Sequence, residues 1–240
     1  MTARARVGTS GWSYDHWRGV LYEPGTRDRL ARYTAEFDTV ELNASFYRWP
    51  RPERFAAWRD RLPDGFEMSV KAPRGVTHAR HFVLTPEWRE RIAAGLDALG
   101  LRRGPLLAQL PPGDVRDDAR LAAFLADLPL GARPVVELRH PSWVAEEVFA
   151  TLAAHGAAYC VMSGAGLPCE LRATADFVYV RLHGPTDALY QGSYDDAAIT
   201  WWAARIREWL AQGRDVYAYF NNDIGGHAVQ NARSLRDALG

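Results

Sequence analysis

The sequence predicts an α/β fold, a single (β/α)8 barrel of the TIM type, and three observations carry that prediction. Apolar runs with strand-like length alternate with amphipathic helical stretches along the whole chain, which implies a parallel sheet. Eight such runs divide the 240 residues into units of about 30, the size of a compact βα unit. Six of the eight runs put polar residues near their C-terminal ends, five of them as pairs spaced two apart, so polar groups converge on one end of a closed barrel. No linker or shift in composition divides the chain, so 1–240 reads as one domain. A doubly wound open sheet is the structural rival, and it ranks lower because no phosphate-binding glycine fingerprint follows the first strand.

The elements follow in order. The first strand is Val7–Trp12, and a long loop with Pro24 and Gly25 leads to a helix over Asp28–Phe37, whose Leu30, Tyr33 and Phe37 share a face. Strand two is Thr39–Ala44. Pro52 starts and Pro63 stops a helix over Glu53–Leu62. Strand three, Phe66–Lys71, is cut off by Pro73, and a helix spans Glu87–Leu99. Strand four is Pro105–Leu110, with a helix over Asp117–Leu128. Strand five is Pro134–Arg139, with a helix over Ala145–His155. Strand six is Ala157–Met162. The connection Gly164–Asp176 is short and holds Pro168, so no full helix is expected there. Strand seven begins at Phe177 and ends in Arg181, His183 and Gly184. A helix over Asp195–Ala211, strand eight at Asp215–Asn221 and a helix over Ala228–Leu239 complete the chain.

Composition excludes some function classes. Lys+Arg and Asp+Glu are both 29, so no global field attracts nucleic acid or an anionic membrane. No apolar run approaches the length of a membrane span. Met1–Arg6 leads directly into a strand, and Cys160 and Cys169 show no metal-type spacing, so a reduced, cytoplasmic protein is expected. Oligomeric state leaves no trace in the sequence.

Residues two apart on a strand share a face, which pairs Glu41 with Asn43, Ser69 with Lys71, Glu137 with Arg139, Arg181 with His183 and Tyr219 with Asn221. Gln109 ends strand four. An ionisable residue in a buried strand is costly unless it faces a cavity, a ligand or an opposite charge. Glu41 and Glu137, with His183, are therefore the candidate catalytic groups, and Lys71, Arg139 and Arg181 the candidate anion binders. Structural ion pairing is the competing role for Glu137 with Arg139 or Arg181. Ser10 and Trp12 at the end of strand one, with Asn43, Gln109, Tyr219 and Asn221 at other strand ends and Tyr14, His78, His140, Trp143, Tyr190, Asn222 and His227 in the loops that follow strands, complete the candidate ligand set. About half of the loop aromatics are expected to pack beneath those loops instead. The glycines before His227 offer free amides at a helix start, a common anion site in barrels and an ordinary tight turn equally. The scattered histidines show no metal-ligand spacing, so no metal or cofactor is called for; a bound phosphate or a divalent metal is compatible with the mouth.

Several phrases stand together in the sequence: Gly8–Thr9–Ser10–Gly11–Trp12–Ser13–Tyr14, Thr39–Val40–Glu41–Leu42–Asn43 with Phe46–Tyr47, and Lys71 with Thr77–His78. Glu137–Leu138–Arg139–His140–Pro141–Ser142–Trp143, Arg181–Leu182–His183–Gly184, Tyr190 to Tyr194 and Tyr217–Ala218–Tyr219–Phe220–Asn221–Asn222 extend the set nearly end to end, with His227–Ala228 and Asn231–Ala232 closing it. Together they resemble the YecE-like family, labelled domain of unknown function 72. The resemblance implies a TIM-type barrel in a prokaryotic family without an established activity, and it supplies no substrate.

The expected function is that of an enzyme doing acid–base or hydrolytic chemistry on a small polar, anionic, sugar-like ligand. Arg181→Ala is then expected to remove binding at little cost in stability. The alternatives are a metal-dependent hydrolase or nuclease, against which the neutral charge balance argues, and a non-catalytic small-ligand-binding protein.

Overall fold

In a computed structural model, which describes residues 2–164, 166–186, 188 and 190–240, eight parallel strands form one sheet that curls into a barrel. The strands are β1 (Ala5–Thr9), β2 (Thr39–Leu42), β3 (Glu67–Lys71), β4 (Arg103–Gln109), β5 (Pro134–Glu137), β6 (Ala158–Ser163), β7 (Phe177–Leu182) and β8 (Asp215–Phe220). From β2 to β8 each strand hydrogen-bonds to the next, and β8 pairs in turn with β1. Several strands end two or more residues before the sequence suggests, so Trp12, Asn43 and Arg139 lie just past the strands rather than in them.

The seam between β1 and β2 is the narrowest link, a single bridge from Ser10 to Glu41. Below it the Tyr33 hydroxyl does the work of a ladder bond, accepting from the Thr9 amide at 3.0 Å and donating to the Thr39 carbonyl at 3.0 Å. Gly8 makes this close approach feasible, since a Cβ there would stand 2.5 Å from the Thr39 carbonyl oxygen.

Helices cover the outside: α1 (Arg29–Thr34), α2 (Ala44–Tyr47), α3 (Pro52–Arg59), α4 (Arg74–Thr77), α5 (Pro86–Leu99), α6 (Asp118–Asp127), α7 (Glu146–Ala154), α8 (Asp196–Ala211) and α9 (His227–Leu239). Asp28, Thr85, Asp117 and Asp195 cap their helices by accepting an amide from three residues on. The short α2 and α4 follow β2 and β3 directly and turn the chain over the mouth. Among its described residues the β6–β7 connection forms no helix. Thr174 instead straps it to the sheet, its hydroxyl donating to the Ala157 carbonyl at 2.6 Å and accepting from the Tyr159 amide at 2.8 Å.

The barrel interior departs from the branched aliphatic filling usual in this fold. Halfway along, Tyr219 shares hydrogen bonds with Thr39 at 2.6 Å and Ser69 at 2.8 Å, and its ring packs on Tyr179 at 5.1 Å. Apolar residues concentrate between strands and helices, where Phe55, Ile92, Leu96, Phe124, Leu152 and Ile206 are buried.

Candidate functional site

Arg181 on β7 stands at the centre of the mouth, fully buried between two carboxylates. Its Nε and Nη2 donate to the two oxygens of Glu41 on β2 at 2.9 and 2.8 Å, a bidentate fork, while Nη1 donates to Glu137 on β5 at 2.5 Å. Glu41 also accepts from the Ser10 hydroxyl at 2.5 Å and the Tyr179 hydroxyl at 2.7 Å. Glu137 accepts from Arg139 Nε at 2.6 Å, with the Cys160 thiol at 3.8 Å. Burial alone would raise both carboxyl pKa values, but Arg181 reverses it: Glu41 is held below the usual carboxylate range, and Glu137, with Arg139 adding to the pull, well below it. Both are ionised acceptors with no proton to give near neutrality.

His183 lies beyond Arg181 on the same face, also fully buried. The Asn221 amide donates to its Nδ1 at 3.2 Å, which leaves the proton on Nε2, 3.6 Å from Glu137 and without a hydrogen-bond partner. Burial pushes its pKa down to about 4, outweighing the pull of Glu137, so it is a neutral donor. Arg139 Nη2 is likewise buried and unpartnered. Tyr190 sits against the His183 ring at 5.8 Å, its backbone at φ 70° and its amide N–H donating to the His183 carbonyl at 2.6 Å. A tyrosine in the left-handed region is a strained position, of the kind found where a side chain is aimed for a purpose.

Lys71 ends β3 beside this cage. Its amine sits 4.3 Å from the centre of the Phe46 ring and, among the described residues, makes no ion pair and no hydrogen bond. Burial and the positive field of Arg181 and Arg139 push its pKa down to about 7, against the opposite pull of Glu137 and Glu41. The sequence holds a signal for this residue that strand-end spacing misses: of 29 lysines and arginines, Lys71 is the single lysine.

The other predicted residues divide. Gln109 lies on β4 between Lys71 and Glu137, nearly buried. His78 packs its ring on Phe46 and is pushed toward the neutral form by burial and by Lys71. Trp12, Tyr14 and Asn43 line a mostly apolar groove of about 300 Å³ beside the mouth, together with Tyr47 and Trp58. The Tyr14 hydroxyl donates to the Ser10 carbonyl, and burial raises its pKa.

Four residues stand elsewhere. Trp143 is completely buried, its indole donating to the Asp114 carbonyl at 2.7 Å, so it is core and not a ligand contact. Tyr219 belongs to the middle of the barrel. His140 caps a short turn through Ser142, and Asn222 ties Gly192 to Asn231. The helix start at His227 is also occupied: the Ala228 amide already donates to the Asn222 carbonyl, and Val20 packs against Gly226. Among the described residues no three of His, Cys, Asp and Glu stand together in a group able to hold a metal ion.

Residues 6–240 match the family described as "Protein of unknown function DUF72". The chain belongs to the DUF72 family. A DUF72 protein of Thermotoga maritima MSB8 superposes with a TM-score of 0.88 at 28% identity, over 98% of this chain and 99% of that one. A DUF72 protein of Enterococcus faecalis V583 shares the fold at 20% identity, with a TM-score of 0.84 over 98% and 95% of the two chains. Among curated relatives, the UPF0759 protein YunF of Bacillus subtilis is 26% identical across 97% of this chain and 94% of its own length. The UPF0759 protein YecE of Escherichia coli K12 is 28% identical across 58% of this chain and half of its own. The DUF72 fold is thus a TIM-like barrel in this chain too, and among the described residues no helix is long and apolar enough to cross a membrane.

Proposed function

We propose that this DUF72 protein is an enzyme that transfers protons on a small anionic ligand at the C-terminal mouth of its barrel, with Lys71 as the proton-transfer group. One observation carries the reading: a buried amine that, among the described residues, has no carboxylate partner stands beside a cage in which every other charge is paired. An amine whose pKa is about 7 is matched to general acid–base work at neutral pH. The glutamates, fixed as ionised acceptors, serve better as electrostatic scaffold than as acid and base. The spare donors, Arg139 Nη2 and His183 Nε2–H, are placed to receive an anion. Lys71, Arg139, Gln109 and Asn221 keep 5–7% of their surface exposed above fully buried neighbours, so they form the side of the cage nearest solvent.

The test is a panel of small carboxylates and phosphates, read first by the shift in unfolding temperature and then by calorimetry. At least one member is expected to bind, with at least about tenfold loss in Lys71→Met and in Arg139→Leu. No binding at millimolar concentrations, or equal binding by both variants, overturns the reading. A bound compound recovered unchanged after long incubation overturns the enzymatic part of it and favours a ligand-binding protein.

A further inference from the structure

Everywhere a fixed positive charge is needed, this chain uses arginine: Arg181 in the caged ion pair, Arg139 at the mouth, Arg6 and Arg133 at the opposite end of the barrel. Position 71 is the exception. Were only a cation required there, arginine would serve and would bind an anion with a wider fork. What lysine alone offers is an amine that can shed its proton and present a lone pair. Desolvation and the positive field of Arg181 and Arg139 favour that form, working against Glu137, Glu41 and the Phe46 ring, whose face attracts the charged amine. Among the described residues the charged groups that face it are Arg181 on β7, Glu137 on β5 and Arg139 just past it, Glu41 on β2 and the imidazole of His78 after α4, with each of the two glutamates already bound to arginine.

We infer that Lys71 is a nucleophile that forms an imine with a carbonyl compound carrying a carboxylate or phosphate group, the anion resting on Arg139 Nη2. This deepens the proton-transfer reading and rests on it. The Nζ lone pair attacks the carbonyl carbon while the C–O π pair moves to oxygen, which takes one amine proton and gives a carbinolamine. The C–O bond then breaks, and the oxygen leaves as water with the second amine proton as the C=N bond forms. His183, neutral with its proton on Nε2, is the spare donor to that oxygen. At pH 7 about half of the Lys71 amine is unprotonated, against roughly one part in 2,500 for an ordinary lysine.

A single lysine makes the test unusually clean. Apart from the α-amine at the start of the chain, Lys71 is the sole primary amine. The full chain is incubated at neutral pH with glyoxylate, pyruvate or glycolaldehyde phosphate in the presence of cyanoborohydride, and adducts are located by peptide mass spectrometry. At least one probe is expected to label Lys71 about tenfold faster than the α-amine, with Lys71→Arg unlabelled at that position. Preference for the first two probes assigns a carboxylate ligand, and preference for the third a phosphate. Labelling of the α-amine alone by all three probes overturns the imine. Competitive acetylation across pH separates the two ideas. A Lys71 reactivity midpoint near 7 without trapping removes the imine and leaves proton transfer standing, whereas a midpoint near that of ordinary lysine removes both.

Discussion

The two ends of this barrel are built from the same materials and differ in one. At the floor, Glu67 pairs with Arg6 at 2.7 Å and accepts from the Tyr217 hydroxyl at 2.6 Å, with Arg133 at 3.4 Å. Arg133 in turn lies over the rings of Phe177 and Tyr217. At the mouth, Arg181 joins Glu41 and Glu137, and Tyr179 donates to Glu41. A polar layer at one end alone would have marked a site by its position, but polar layers occur at both. Carboxylates ringed by arginine and tyrosine are therefore part of how this barrel is filled. Buried N–H donors without a partner occur at both ends, on Arg139 and His183 above and on Arg6 below; what marks the mouth, among the described residues, is a titratable amine without a counter-charge and a strained tyrosine nearby.

The largest contrast is expected from the arginines. Arg181→Met leaves two buried carboxylates facing each other and should cost about 3–5 kcal/mol in denaturant unfolding. Arg133→Met at the half-exposed floor should cost about 1 kcal/mol. The expectation that Arg181 can be lost at little cost does not survive its position, fully buried and bonded through all three guanidinium nitrogens. Equal costs at the two ends would break the comparison.

Acid should act through the mouth. His183 has a folded pKa of about 4, below its ordinary value, so the unfolded chain binds the extra proton between the two. Stability should then fall as pH drops from about 6.5 toward 4, by about 3 kcal/mol in all. The depressed carboxyls of Glu41 and Glu137 extend the loss to lower pH. His183→Gln should flatten the upper part of that curve, and an unchanged slope would place the acid sensitivity elsewhere.

The smallest effect has the opposite sign. Lys71→Met should stabilise the protein by about 1–2 kcal/mol at pH 7, as removal of a group held for function often does. The folded amine titrates at about 7 and the unfolded one near the ordinary lysine value, so wild-type stability rises with pH across that window. The advantage of Lys71→Met should shrink over the same range, and an advantage that is constant with pH would mean that the amine is not depressed.

Much of this was legible in the sequence, for identifiable reasons. Alternation of strand and helix gave the barrel, and the two-residue period gave the cage, because Glu41, Lys71, Glu137, Arg181 and His183 each stand at or near a strand end on the inward face. The floor escaped notice because Arg6, Glu67 and Tyr217 lie in the first half of their strands, and Arg133 just before β5, where nothing marks a polar residue as inward. Trp143 and Tyr219 were assigned to the ligand because aromatic position does not distinguish a lining ring from a core ring. The short helices α2 and α4, four residues each, fall below the length at which periodicity is visible. Composition held the last clue, in the single lysine.

The decisive measurement is a pH titration of the one lysine side chain, labelled with 13C-lysine and followed by NMR as a single resonance. A midpoint near 7, moving upward in Arg181→Met if that variant folds, is what a desolvated amine in a positive field requires. A midpoint near 10 would make Lys71 an ordinary cation and the mouth a second floor.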